Sequence, residues 1–505
     1  MNLKELVITG DSLTLPQVGE VARSGRKIVL SDRAREAIAQ AHALVTEIVE
    51  AERAVYGVST GFGELSTVHI GKDKNKCLQR NLILSHACAL GEPLPKDVVR
   101  AIMLLRLNTL AKGFSGVSPA VTDLLINLLN LDIVPYIPEQ GSLGASGDLA
   151  NLAHMALVLI GEGQAWYRDE LISGGEALNR AGLQPVVLSG KDGLAIINGT
   201  QIMAGIGSLS LLDAENLYLA ANLAAALSFE ALRGITAAYD SRIHSLRPHP
   251  GQLETARFML NAVAGSEYVD SRSDVQDPYT LRCVPQVHGA VLDAINYVAG
   301  TLSVEINAVT DNPIILTKTG EVISGGNFHG EPLALALDFL GLAVSELANI
   351  SERRIERLVN PQLNYGLPAF LVEEGGVNSG LMIPQYVAAA IVSENKVLAH
   401  PASVDSIPSS ANKEDHVSMG AIAARKAKAI VENVRRVLAI ELLVAAQAID
   451  VQPQRKLGRV TAKLYAKIRE LVPTLEKDRV LATDIKSLAA MLSDVSFYEE
   501  MRSHI

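Results

Sequence analysis

Glu331-Pro332-Leu333-Ala334-Leu335-Ala336-Leu337-Asp338-Phe339-Leu340-Gly341-Leu342-Ala343-Val344-Ser345-Glu346-Leu347 decides the fold class of this chain. Leu333, Leu337, Leu340, Val344 and Leu347 recur at spacings of four and three, the signature of a helix presenting one seam to a bundle. The pattern runs to residue 358, and a helix of that length spans roughly 45 Å. One compact monomer cannot bury every apolar side of such a helix. Comparable patterns cover 200–232, 285–308, 380–399 and 415–450. The stretch 200–229 is apolar on more than one face, which predicts a helix at the centre of a large, self-associating bundle.

Composition agrees. Hydrophobic residues make up 48% of the 505 and aromatics only 4%, so the core must be built from Leu, Ala, Ile and Val, as in packed long helices. A net charge of −10 offers no basic stripe to displace counterions, which excludes nucleic acid as a partner. Cys77, Cys88 and Cys283 are odd in number and lack CxxC spacing, so reduced thiols are expected. The uncharged runs Gly193–Leu212 and Gly375–Ser393 carry Asn, Gln, Ser and Gly that hydrocarbon would penalise; neither reads as a membrane span. Met-Asn-Leu-Lys-Glu-Leu at the start is not a signal peptide. A cytoplasmic protein without membrane partners is expected.

The fold class expected is mainly α: a long-helix bundle with a smaller loop-rich N-terminal part and minor β-hairpins. Three regions are anticipated, 1–197, 198–450 and a helical tail 451–505. Within the first, residues 1–30 read as β-prone around Leu6-Val7-Ile8-Thr9. Helices are expected from Ser31 to about Arg53, up to His86, over 96–110 and over 120–130. Short β pieces are expected at Trp166–Ile172, Val186–Leu188, and Ile314–Lys318 with Glu321–Ile323.

One loop stands apart. Gly141-Ser142-Leu143-Gly144-Ala145-Ser146-Gly147-Asp148 precedes an apolar helical run, 149–160, with no clear strand before it. Its glycines imply unusual dihedral angles or close backbone approach. It is no phosphate loop, since Asp148 replaces the Lys-Ser/Thr pair and would repel phosphate. It is no hydrolase nucleophile elbow either, because Asp148 takes the place of the last glycine. Taken alone it reads as a turn into a helix.

Other loops collect polar residues unlike solvated connectors: Tyr56-Gly57-Val58-Ser59-Thr60-Gly61-Phe62-Gly63, Asn198-Gly199-Thr200-Gln201, Gln276-Asp277-Pro278-Tyr279-Thr280-Leu281-Arg282, Gly325-Gly326-Asn327-Phe328-His329, and Lys413-Glu414-Asp415-His416. Histidines at metal-binding spacing are lacking, so no metal is expected. No glycine fingerprint for a dinucleotide follows a strand, and no lysine stands in a recognisable pyridoxal phosphate setting.

Together these motifs, in this order, resemble the aromatic amino-acid ammonia-lyase family over essentially the whole chain. The resemblance implies that Ala145, Ser146 and Gly147 cyclise to 4-methylidene-imidazole-5-one, an electrophile made from the chain itself. A small Ala145 and a side-chain-free Gly147 allow the tight turn, and Ser146 supplies the hydroxyl that leaves as water. An electrophile suits removal of a poor leaving group next to a weakly acidic proton. The resemblance further implies that Tyr279 acts as the base or proton relay, with Tyr56 as a second active-site tyrosine and Glu414 as a third catalytic group, the acid–base roles among them left open. A tyrosine is ordinarily protonated near neutrality, so that role needs a supporting hydrogen-bond network. Arg282 is implied as a two-bond grip on the substrate carboxylate, Asn198 and Gln276 as hydrogen-bonding groups, and Phe328 as a pocket wall.

His86 and Glu414 match the polar pair of the family's histidine branch. A buried carboxylate can accept an imidazole N–H, whereas a phenyl ring would leave it unpaired. L-Histidine is therefore the expected substrate and urocanate the product; a tyrosine or phenylalanine lyase, an aminomutase, or a non-catalytic helical scaffold are the alternatives. The family also implies a homotetramer with shared active sites. Three residues depart from its pattern: Asn151 stands where proline is common and would suit a helix start, Ser59 where Asn or Thr is frequent, and Lys413 puts a positive charge beside Glu414.

Overall fold

The computed structural model describes residues 4–504. Among the described residues the fold is mainly α, with nineteen α-helices and nine short strands. These gather into two compact units, each drawn from segments far apart in sequence. The first comprises Met1–Leu212, Ala299–Asp338 and Pro401–Arg425; the second comprises Asp213–Val298, Phe339–His400 and Lys426–Ile505.

The long helices lie where periodicity places them: Gln201–Ala231, Val284–Glu305, Glu331–Val359, Met382–Leu398 and Gly420–Asp450. Leu333, Leu337, Leu340, Val344 and Leu347 are all fully buried, so the seam is real. Gln201–Leu211 is buried without interruption, as expected of a helix apolar on several faces. Glu331–Val359 is long and apolar enough to cross a membrane, yet 61% of its most apolar window is buried inside the protein, as in a core helix. Its opposite face exposes Leu335, Phe339 and Leu342 at 50%, 43% and 43%.

In the first unit, strands Leu6–Ile8 and Ile28–Leu30 pair in parallel. The segment between them corrects the β-prone reading of residues 1–30, because Leu15–Ser24 is a helix. Thr14 and Gln17 form a capping box, Pro16 sits in the first turn, and Gly25 ends the helix at φ 66°. Arg100, buried on helix Lys96–Ala111, donates to the carbonyls of Val21 and Ala22 at that helix's last turn. Its charge is favourable there and satisfies open carbonyls. Lys96–Ala111 is buried from Val98 to Ala111 and forms the centre of this unit.

Two hairpins appear near the expected places, Gln164–Tyr167 with Glu170–Ser173 and Ile314–Leu316 with Glu321–Ile323. Val186–Leu188, expected as a strand, is a loop; the Val186 amide bonds to the Leu159 carbonyl at the end of a helix rather than to a strand. Conversely, a strand does precede the glycine loop: Pro138–Gln140 pairs antiparallel with Leu90–Pro93.

In the second unit, Arg354 and Glu441 form a fully buried two-bond ion pair, at 2.5 and 2.9 Å, and Ser228 donates to the same carboxylate at 2.7 Å. Three long helices are thereby locked in register by one charge cluster. Buried His288 meets the Asn222 side-chain oxygen at 2.8 Å.

Candidate active site

The glycine loop turns sharply where its smallest residues lie. Ser146 has φ 53° and Gly147 φ 73°, both left-handed. A Cβ on Gly147 would fall 2.2 Å from the Gly199 carbonyl oxygen, so only glycine fits. That carbonyl accepts the Asp148 amide at 2.8 Å, fastening the loop to the 198–201 turn. Ser142 donates to Asp148 Oδ1 at 2.7 Å. Asp148 Oδ2 accepts the amides of Ile202 and Met203, at the start of helix Gln201–Ala231. A carboxylate there complements the helix dipole, but burial still pushes the Asp148 carboxyl up to about 6 against the lowering effect of these bonds.

Asn151 answers for the missing proline. Its Nδ2 donates to the Pro138 carbonyl at 2.6 Å, and the residue is fully buried. The strand before the loop is thus tied to the helix after it, and that helix starts at Leu149 without a proline.

Asn198 reaches the loop from the other side. Its Nδ2 donates to the Ser146 carbonyl at 2.6 Å, while its Oδ1 accepts the Asn312 amide at 2.6 Å. Buried Arg106 donates to the Asn198 backbone oxygen at 2.8 Å and to Gln201 at 2.7 Å. Burial lowers the Arg106 guanidinium to about 10 against the raising influence of Asp311. None of these bonds engages the Gly147 nitrogen.

A cavity of 630 Å³ opens over Ser146, within the size range of small-molecule sites. Tyr56, Phe62, His86, Asn198, Asn312 and Glu414 are among its walls, and its lining contains no lysine. Glu414 accepts the Ser146 hydroxyl at 3.0 Å. Burial lowers the His86 pKa, with the Leu82 carbonyl and Glu414 acting in the opposite direction. Tyr56 accepts the Gly63 amide at 3.3 Å and meets Phe62 edge-on. A smaller cavity of 230 Å³ is bordered by His86, Ala145, Gly147, Ser409 and Glu414.

A model of the family described as aromatic amino acid lyase matches residues 13–470. The chain belongs to the aromatic amino acid lyase family. As a member, it is a carbon–nitrogen lyase. It is 62% identical to a histidine ammonia-lyase of Treponema denticola over 495 residues, 98% of each chain. The crystal structure of histidine ammonia-lyase from Trypanosoma cruzi superposes with a TM-score of 0.93 at 42% identity, covering 99% of this chain and 96% of that one. A tyrosine aminomutase from Streptomyces globisporus superposes equally well, TM-score 0.93 at 38% identity and 99% of each chain.

The residues fit the prosthetic group expected of such a lyase. The Gly147 nitrogen, free of the bonds above, lies two residues from the Ala145 carbonyl across a left-handed turn, and the cradle at Gly147 admits no side chain. Not every residue singled out in the sequence lines the cavity of this aromatic amino acid lyase. Gln276, Tyr279 and Arg282 belong to the second unit. There Arg282 donates to Gln276 at 2.9 Å and stacks over the Tyr279 ring at 4.7 Å, and Tyr279 is 71% exposed. Phe328 sits half-buried in the 324–330 loop, away from the cavity walls. Lys413 lies 3.6 Å from Glu64, to which its charge is directed, and Ser59 accepts the Val55 amide within its own turn.

His329, Glu331 and His416 bring three donor atoms within 4.8 Å of one another. Both ring nitrogens of His329 are already occupied, one by the Glu331 amide and one by the His416 carbonyl. Lys191 is buried but held by Asp311 at 2.9 Å and the Ser115 carbonyl. Sequence reasoning missed Asn312, Arg106 and Ser409. Asn312 sits in a Thr-Asp-Asn-Pro segment whose polarity beside a hairpin was a usable signal; Arg106, in an apolar helix, gave none.

Proposed function

We propose that this chain eliminates ammonia from L-histidine to give urocanate, using 4-methylidene-imidazole-5-one formed from Ala145, Ser146 and Gly147. The observation that carries the reading is the convergence of His86 and Glu414 on the cavity over Ser146. A fold shared with a tyrosine aminomutase does not choose a substrate; two polar groups lining the cavity favour an imidazole over a phenyl ring. The histidine ammonia-lyases among the relatives support the same choice.

Maturation needs no external reagent. The Gly147 nitrogen bonds to the Ala145 carbonyl carbon; that oxygen departs as water with the protons of the Gly147 and Ser146 amides. The Ser146 hydroxyl then departs with its Cα proton as a second water. Once formed, the group would supply an electron-poor methylidene carbon, the electrophile needed to turn the substrate amine into a better leaving group. Asn198 polarises the Ser146 carbonyl, which is conjugated with that carbon, through its 2.6 Å bond. His86, whose pKa burial lowers, can donate to or accept from an imidazole as a neutral ring. Glu414 accepts an imidazole N–H, Tyr56 and Tyr279 share proton transfer, and Arg282 grips the carboxylate.

Exposed Gln276 and Tyr279 and the apolar stripe Leu335, Phe339 and Leu342 support a homotetramer whose sites are shared between copies. A cytoplasmic location accords with the buried seam of helix Glu331–Val359. The test is direct: L-histidine is added and urocanate is followed by its ultraviolet absorbance, with L-tyrosine and L-phenylalanine as competitors. Coumarate or cinnamate in place of urocanate would overturn the substrate, and no product from any of them would return the scaffold reading.

A further inference from the structure

We infer that Ser409 is a positioning residue that fixes which oxygen of Glu414 receives the substrate imidazole; this rests on the histidine reading above. Ser409 Oγ donates to Glu414 Oε2 at 3.0 Å, and Ser146 Oγ donates to Glu414 Oε1 at 3.0 Å. Each carboxylate oxygen therefore has one hydroxyl donor before maturation. Formation of the exocyclic double bond removes the Ser146 hydroxyl and Cα proton together as one water, with no oxidant or reductant. Oε1 then loses its donor while Oε2 keeps Ser409. Glu414 and Ser146 line the same cavity as His86 and Asn198, and an imidazole N–H entering it can replace the departed hydroxyl on the oxygen left open. A phenyl ring cannot.

The backbone around this pair is built for fixed placement. Ser409 and Glu414 exchange backbone hydrogen bonds at 2.9 and 3.3 Å, closing a short loop. Between them Ser410, Ala411 and Asn412 hold φ of 50°, 53° and 65°, three successive left-handed residues, none of them glycine. Side-chain-bearing residues avoid this conformation unless the surroundings impose it, and such strain gathers where a functional group must be aimed. Ser409 is the one side chain of the loop that also grips the Glu414 carboxylate.

The test uses the full-length protein. Ser409→Ala is expected to raise KM for L-histidine about tenfold, the scale of one lost hydrogen bond to a charged group, with a smaller change in kcat. Ser409→Thr, which keeps the hydroxyl, is expected to restore KM. Both variants should still show the mass deficit of two waters. In a Ser146→Ala background, which cannot turn over, adding Ser409→Ala should weaken calorimetric binding of L-histidine by a similar factor and leave L-phenylalanine unchanged. An unaltered KM and binding constant in Ser409→Ala would overturn the inference. So would equal damage in Ser409→Thr, or a missing mass deficit, either of which would make Ser409 merely structural. Absence of urocanate from the unsubstituted protein would instead bring down the substrate reading, and this inference with it.

Discussion

The two sets of residues implicated in catalysis are held in opposite ways. Ser146, Asn198 and Glu414, in the first unit, are pinned by side-chain and backbone bonds at 2.6–3.0 Å from segments up to 268 residues away. Gln276, Tyr279 and Arg282, in the second, bond chiefly to one another on a short turn, with Tyr279 largely in solvent. The difference teaches that one chain preorganises the serine loop and the cavity over it but leaves Tyr279 in solvent, with Arg282 half-buried beside it. A tyrosine so placed gains catalytic strength only when another surface excludes water around it.

The largest effect expected is from Ser146→Ala, which breaks the first set at its centre. Turnover should fall about a thousandfold or more, as when other covalent catalysts lose their key group, and intact mass should lack the full deficit of two waters. Tyr279→Phe breaks the second set and should cost about 10²–10⁴-fold in kcat, the range of general acid–base catalysis. Co-expressing the two variants sharpens the comparison. If the sets come from different copies, mixed oligomers contain some intact sites and regain activity, measurable as urocanate release; no recovery would place both sets within one chain.

Much of this architecture is legible in the sequence, and the failures have physical causes. Helix periodicity exposes long elements because every turn repeats the signal, as with Leu333 to Leu347. Leu15–Ser24 escapes because it is short and flanked by β-rich residues, and its true markers are Thr14, Gln17 and Gly25 at its ends. The glycine loop announces unusual geometry, but nothing in its composition distinguishes a cyclising turn from an ordinary one; that came from resemblance. Asn151 illustrates compensation. A sequence reader sees only a missing proline, whereas the fold shows a side chain holding the loop's two ends together. Ser409 lies just before the Lys413–His416 loop, but its role depends on three left-handed neighbours no pattern reveals.

Smaller perturbations probe the supports rather than the site. Glu441→Gln should destabilise the second unit by about 3–5 kcal/mol, because it leaves Arg354 buried without its counter-charge; chemical denaturation would show it. Asn151→Ala should cost about 1–3 kcal/mol through the unsatisfied Pro138 carbonyl. Its readout is the fraction of chains two waters lighter at a fixed time after synthesis. The smallest effect concerns His288, whose pKa is held well below 6.5 by burial first and by Arg354 second. Above 6.5 both folded and unfolded forms are neutral and the full stability is present. Below it the unfolded chain binds a proton that the folded chain refuses, so stability falls. The advantage of the unsubstituted protein over His288→Phe should therefore narrow by up to about 1.4 kcal/mol per pH unit as pH drops below 6.5.

Beyond the local Ser142 bond to Gly147, the contacts that hold this loop come from Gly199, Asn198 and Glu414, all distant in sequence. A nascent or unfolded chain lacks that cradle. Under the cyclisation proposed above, the loss of two waters would be a permanent covalent record that a given molecule has once been folded, legible in its mass even after denaturation. Weighing a heat-treated or refolded population would count the molecules that reached the native state, one by one, independently of whether they still work.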